Sequence, residues 1–149
     1  MLFPTASEMN PPAPYVSNRE HWGILLKPAD LAIYLVDDDP SVSSALMRLV
    51  RSAGFVKVGT FNSTEDFLKR AVLEGGSLLI LDVLLPGKSG IELQQHIRRS
   101  GLSVPVVFIS AQEHQLERAR KECPEALAFL LKPFGGEELL EVVRRASKN

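Results

Sequence analysis

Several features that would indicate other classes of protein are missing from this sequence. Its one cysteine, Cys123, excludes an internal disulfide and a multi-cysteine metal site, and we expect this side chain to be small and half-buried. No apolar run approaches the length of about 18 residues that a membrane span needs, and no secretory signal is visible. We therefore expect a cytoplasmic protein without membrane contact. The formal net charge of −1 gives no field that would attract nucleic acid.

The chain length allows one domain with a full hydrophobic core, but hardly two, since it has 149 residues. Residues 1–30 differ in composition from the rest, because they hold half of the 10 prolines and show neither helical nor strand periodicity. We therefore predict an irregular, Pro-rich N-terminal extension over residues 1–30 and a single domain over residues 31–149.

Residues 31–147 alternate between short apolar runs and amphipathic segments. The runs typical of strands are residues 31–36, 55–60, 78–81, 104–109 and 127–131. The side chains expected on the buried faces of the helices are Val42, Ala45, Leu46, Leu49, Val50 and Ala53 in the first, Phe67, Leu68, Ala71 and Val72 in the second, Ile91, Leu93 and Ile97 in the third, Leu116 and Ala119 in the fourth, and Leu139, Leu140, Val143 and Ala146 in the fifth. This alternation predicts an α/β fold with a parallel sheet between helices, because parallel neighbours need crossover connections. Lys57 and Gly59 favour an edge position for the second strand.

Polar side chains follow four of the predicted strands. Asp37 and Asp38 follow the first, Asp82 the third, Ser110 the fourth and Lys132 the fifth. In a parallel sheet these strand ends lie at the same edge, where open α/β sheets bind ligands. Three crowded carboxylates call for a cation, and Mg²⁺ fits because it shares carboxylate ligands with water and phosphate. With one ammonium and one hydroxyl nearby, the set predicts a carboxylate that takes up a phosphoryl group.

Four short motifs in this order resemble those of the response-regulator receiver domains of bacterial two-component systems. They cover residues 34–39 (YLVDDD), 81–87 (LDVLLPG), 108–111 (FISA) and 129–134 (FLLKPF). The resemblance spans about residues 31–147. Within the family, the sequence is similar to receivers that precede helix-turn-helix output modules. It implies a flavodoxin-like (βα)5 fold with a five-stranded parallel sheet of order 2-1-3-4-5.

The resemblance also implies the roles of the acidic residues. Asp82 corresponds to the phosphoacceptor, and Lys132 to the lysine that pairs with it and then with the phosphoryl group. Asp37, Asp38, Asp82 and the main-chain carbonyl of Leu84 correspond to the Mg²⁺ ligands.

A conformational switch is implied as well. Ser110 corresponds to the hydroxyl residue that contacts the phosphoryl group, and Phe129 to the aromatic residue whose position changes the surface of the fourth helix, fifth strand and fifth helix. The family also has a cis peptide bond at the position between Lys132 and Pro133.

The implied function is a phosphorylation-activated signalling receiver, which assists its own phosphorylation and dephosphorylation but is not otherwise an enzyme. Its implied phosphoryl donor is a sensor histidine kinase or a histidine phosphotransfer protein. Its implied target is a downstream protein or an output domain absent from this chain, and a phosphorylation-dependent homodimer is a further partner hypothesis. Nothing in the chain resembles a DNA-binding element, so we expect no direct contact with nucleic acid.

Two other functions remain open at this point. One is a Mg²⁺-dependent phosphohydrolase with an aspartyl nucleophile, although such enzymes usually carry a second acid at the position that Leu84 occupies. The other is a receiver-like interaction module that is not phosphorylated, although all five positions of the site are filled. Leu84 also has no polar group to orient a water molecule, which predicts slow self-dephosphorylation. Lys88-Ser89 and Pro124-Glu125 depart from the commonest family pattern.

Overall fold

Five strands and five helices alternate in the computed structural model, which describes residues 30–73 and 76–148. They are β1 (Ala32–Val36), α1 (Pro40–Ser52), β2 (Lys57–Phe61), α2 (Thr64–Arg70), β3 (Ser77–Asp82), α3 (Gly90–Arg99), β4 (Val106–Ser110), α4 (Glu113–Glu122), β5 (Ala128–Leu131) and α5 (Gly136–Ser147). The predicted alternation is confirmed. The extension predicted over residues 1–30 lies outside the described residues except for Asp30. None of the helices in the described ranges has the length and apolar character needed to cross a membrane.

The sheet is parallel throughout and has the order β2-β1-β3-β4-β5. The predicted strand order and the edge position of β2 are therefore confirmed. Val36 lies beside Leu81, and Ser110 lies beside Leu131. This register aligns the carboxyl ends of the strands and decides which side chains meet beyond them.

The central strand β3 supplies apolar side chains to both faces of the sheet. Leu78 and Ile80 pack in a core with α1 and α5, whereas Leu79 and Leu81 pack in a second core with α2, α3 and α4. All four are fully buried, and burial of one such side chain contributes about 1.5–3 kcal/mol. An unbroken apolar run is therefore required here, since a polar residue on either face would enter one of the cores.

Helix α2 is shorter than the apolar pattern predicts. It ends at Arg70, because the hydroxyl of Tyr34 donates to the carbonyl oxygen of Val72 at 2.8 Å and holds the following chain away from the helix. Val72 lies beyond the helix and is exposed at 69%, and Leu68, within the helix, is exposed at 41%, so the predicted burial of both is wrong. Ala45 of α1 is also exposed, at the margin of the apolar stripe of that helix.

Cys123 is fully buried rather than half-buried as predicted. It packs with Leu116 and Ala119 in the core beneath α4, and its Sγ donates to Oε1 of Gln94 at 3.1 Å. Burial raises the pKa of the thiol to about 11, and nearby glutamate charges add to the effect. The side chain therefore acts as a small core residue with one hydrogen bond.

The burial of Cys123 predicts slow reaction with thiol reagents. At pH 8 a thiol with a pKa of about 11 has about 100-fold less thiolate than one at the ordinary value of 9.0. The native protein should therefore react at least that much more slowly with Ellman's reagent than the protein in 6 M guanidinium chloride. Equal rates in the two states would show that Cys123 is accessible. The readout is unambiguous because the chain has 1 cysteine.

Candidate functional site

The predicted site residues come together in a crevice beyond the carboxyl ends of β1, β3, β4 and β5. The crevice has a volume of about 440 Å³. Its lining includes Asp37, Asp38, Asp82, Leu84, Ser110 and Lys132. The alignment of the strand ends explains the arrangement, since each polar residue ends its strand or lies within two residues of its end.

Lys132 connects two of the aspartates. Its Nζ donates to Oδ2 of Asp37 at 2.7 Å and to Oδ2 of Asp82 at 2.8 Å. Burial alone would lower the pKa of Lys132, but the hydrogen bonds to the two carboxylates outweigh it, so the pKa is raised. The ammonium is therefore held in its charged form. The peptide bond that joins Lys132 to Pro133 is cis, as the resemblance implied.

Asp82 lies at the floor of the crevice and is only 6% exposed. One carboxylate oxygen accepts from Lys132, and the other, Oδ1, accepts from the backbone N–H of Leu84 at 3.0 Å. Burial raises the pKa of Asp82 and the charge of Asp37 adds to the effect, although the two hydrogen bonds oppose it. The result is a carboxylate that is oriented at both oxygens and more basic than an ordinary aspartate.

The three aspartates form an arrangement that suits a divalent cation. One carboxylate oxygen from each of Asp37, Asp38 and Asp82 lies within 4.8 Å of the others. Three carboxylates against the single ammonium of Lys132 leave two formal negative charges in the crevice. A hard ion such as Mg²⁺ fits this set, because it prefers oxygen ligands and carries the charge that is missing.

Ser110 ends β4, lines the crevice and is 1% exposed. Its Oγ accepts from the backbone N–H of Gln112 at 3.1 Å. Within the described ranges no acceptor is seen for its hydroxyl hydrogen, so the hydroxyl can donate to an anion that enters the crevice.

Phe129 lies on β5, away from the crevice, and is half-buried. Its ring stacks on that of Phe108, the residue beside it on β4, with centroids 6.0 Å apart and planes at 17°. The guanidinium of Arg120 lies over the same ring, 5.3 Å from the centroid. This contact with Arg120 could not be seen in the sequence.

A family model described as the response regulator receiver domain matches residues 33–144. The chain belongs to this family. Response regulator protein TodT of Pseudomonas putida is 38% identical over 116 residues, which are 78% of this chain and 51% of TodT. This receiver domain thus spans about half the length of the curated relatives it matches.

Solved structures agree with this assignment. The structure described as FixJ-N has a TM-score of 0.71 and 28% identity, and the match covers 80% of this chain and 95% of that one. Response regulator StyR has a TM-score of 0.70 and 39% identity, with 78% of this chain and 59% of StyR covered. The flavodoxin-like receiver fold is therefore confirmed. Members of the family are phosphorylation-controlled signalling domains rather than enzymes, so the phosphohydrolase alternative is not favoured.

Gly90 is a residue of this receiver domain that the sequence reasoning did not identify. Helix α3 begins very close to the end of β3. A Cβ on Gly90 would collide with the carbonyl oxygen of Asp82 and lie 3.1 Å from its carbonyl carbon. Gly90 N–H also donates to the carbonyl of Val83 at 3.0 Å. In the sequence, Gly90 could have been recognised as a glycine at the start of a predicted helix, where better helix formers are usually favoured.

We predict that Gly90→Ala destabilises the domain by about 1–3 kcal/mol, the usual cost of forcing an extra carbon into a packed site. Urea denaturation followed by circular dichroism measures this. Gly59→Ala is the matched control, because its added Cβ would meet only side-chain atoms at ordinary distances of 3.4 Å or more. Equal stabilities of the two variants would show that α3 can move away from Asp82 without cost.

Proposed function

We propose that this receiver domain is activated when Asp82 accepts a phosphoryl group from a phosphohistidine, carried by a sensor histidine kinase or a histidine phosphotransfer protein. The supporting observation is the Lys132 ammonium, whose Nζ lies 2.7 Å from Asp37 Oδ2 and 2.8 Å from Asp82 Oδ2. Such an ammonium holds the acceptor in place before transfer and balances its charge.

In the proposed transfer, a carboxylate oxygen of Asp82 attacks the phosphorus atom. A new O–P bond forms while the P–N bond to the donor imidazole breaks, and its electron pair stays on the imidazole nitrogen. The backbone N–H of Leu84 fixes the orientation of the carboxylate.

The charge that arrives with the phosphoryl group meets donors already in position. Lys132 uses two of its three N–H bonds for Asp37 and Asp82, so one remains for a phosphoryl oxygen. The Ser110 hydroxyl, at the end of the neighbouring strand β4, is a second donor. Donors that are already oriented stabilise the transferring group without reorganisation.

The proposed ligands of Mg²⁺ are Asp37, Asp38, Asp82 and the main-chain carbonyl of Leu84. When bound, Mg²⁺ would neutralise the carboxylates and the phosphoryl oxygens together. Asp37 would then bind the metal and also pair with Lys132. Its two carboxylate oxygens have different neighbours, since Oδ2 accepts from Lys132 and Oδ1 accepts from the N–H of Asp39 at 2.9 Å.

The proposed output is a change of the surface formed by α4, β5 and α5, reported by Ser110 and Phe129. A phosphoryl group that accepts from the Ser110 hydroxyl and draws it closer would shift the Oγ that accepts from Gln112 N–H at the start of α4. This surface would contact a downstream protein, an output domain or a second phosphorylated copy. Local charge would thus bias an element with two arrangements.

Asp82 is predicted to be the only phosphorylated residue. Incubation with Mg²⁺ and phosphoramidate should add one phosphoryl mass to the intact protein, and Asp82→Asn or excess EDTA should abolish the gain. Asp39→Asn is the control and should keep it, because Asp39 caps α1 through Ser41 N–H at 2.9 Å and asparagine caps equally well. A phosphorylated Asp82→Asn protein would refute the assignment.

Leu84 is predicted to slow the loss of the phosphoryl group. It is half exposed at the mouth of the crevice and offers no polar group to orient an attacking water. Leu84→Asn should therefore shorten the lifetime of the phosphorylated protein several-fold, as measured by the decay of the phosphorylated mass after removal of the donor. Leu84→Met serves as the apolar control. Equal lifetimes in the two variants would contradict this account.

A further inference from the structure

Arg120 joins the switch residue Phe129 to the first turn of α4. Its guanidinium lies over the ring of Phe129 at 5.3 Å, and its Nη1 donates to Oε2 of Glu113 at 3.2 Å. About half of each charged side chain is exposed, at 47% for Arg120 and 55% for Glu113. The ring of Phe129 therefore contacts both the Arg120 guanidinium and the stacked ring of Phe108.

These contacts continue into the crevice. Glu113 follows Gln112, whose backbone N–H donates to Oγ of Ser110 at 3.1 Å. The first turn of α4 thus contacts Ser110 through Gln112, and it contacts Arg120 of the same helix through Glu113. A rearrangement of Ser110 that moves the first turn of α4 also moves the carboxylate that positions the guanidinium.

We propose that Arg120 is a positioning residue that keeps Phe129 stacked against Phe108 in the unphosphorylated protein and so opposes phosphorylation of Asp82. The inference rests on the proposed function and adds a residue to its switch. The physical reason is linkage: a contact made only in the resting arrangement raises the population of that arrangement, and it must be given up when the other arrangement forms.

The size of the effect follows from the exposure of the contacts. An exposed ion pair contributes little, and an exposed cation–π contact shifts an equilibrium by about two- to five-fold. The resting arrangement is therefore favoured only modestly by Arg120, and its loss should tune the switch rather than lock it.

The test is the affinity of the full chain for beryllofluoride, a phosphoryl mimic, in the presence of Mg²⁺. Arg120→Met keeps the length of the side chain but removes the charge, and it should bind beryllofluoride about two- to five-fold more tightly. The rate of phosphorylation by phosphoramidate should rise by a similar factor. A purely structural role predicts the opposite direction, because a damaged domain binds more weakly.

Arg118→Met is the matched control. Arg118 lies on the same helix, is similarly exposed and pairs with Glu122 at 3.0 Å, but within residues 30–73 and 76–148 its guanidinium covers no aromatic ring. It should leave the affinity unchanged. The beryllofluoride affinity of Arg120→Lys should lie between those of the wild type and Arg120→Met, since a lysine keeps the charge near the ring.

The Phe129→Leu variant, combined with Arg120→Met, separates the effect of the ring contact from the effect of the charge. In Phe129→Leu protein the ring is gone, so Arg120→Met should have no further effect on beryllofluoride affinity. The inference is overturned if Arg120→Met behaves like Arg118→Met, or if its gain persists in the Phe129→Leu background. A wild-type protein that binds no beryllofluoride and gains no phosphoryl mass would instead refute the proposed function itself.

Discussion

One ammonium shared between two carboxylates is the interaction on which the rest of this receiver domain depends. Lys132 reaches Asp37 and Asp82 across separations of 95 and 50 residues in the sequence, so only a correctly registered sheet can form it. Burial of three charges adds little to stability, because desolvation offsets most of the attraction. The arrangement instead leaves an excess of negative charge that a cation can balance, and an ammonium that an incoming phosphoryl group can share.

The same local device orients three of the crevice side chains. Asp37, Asp82 and Ser110 each accept a hydrogen bond from the backbone N–H two residues further along the chain. A turn directly after each strand therefore positions the functional group with main-chain donors. Such donors do not depend on the side chain of the residue that carries the N–H, so an apolar residue such as Leu84 can still orient the carboxylate of Asp82.

The alternation of strands and helices was predictable because periodicity is a local property of the sequence, and the site followed once a parallel sheet aligned the strand ends. Features that depend on a distant contact were not predictable. Helix α2 ends early because Tyr34 reaches the Val72 carbonyl. Gly90 matters because of the backbone of Asp82. Cys123 is buried because it packs in the core beneath α4, where Gln94 of α3 is its hydrogen-bond partner. Tyr34 and Gln94 are far in the sequence from the residues that they contact, whereas Asp82 is close to Gly90.

The two ends of α4 are held by contacts of different kinds, and the departure at Pro124-Glu125 lies at the end that contacts α3. Beyond its far end, buried Cys123 donates to Gln94 of α3, and Gln94 and Arg98 both donate to Glu125, at 3.0 and 2.9 Å. The near end is held by one backbone hydrogen bond to Ser110 and by exposed charges. Because the hydrogen bond to Ser110 joins the near end directly to the crevice, a charge change there would act on this end of α4.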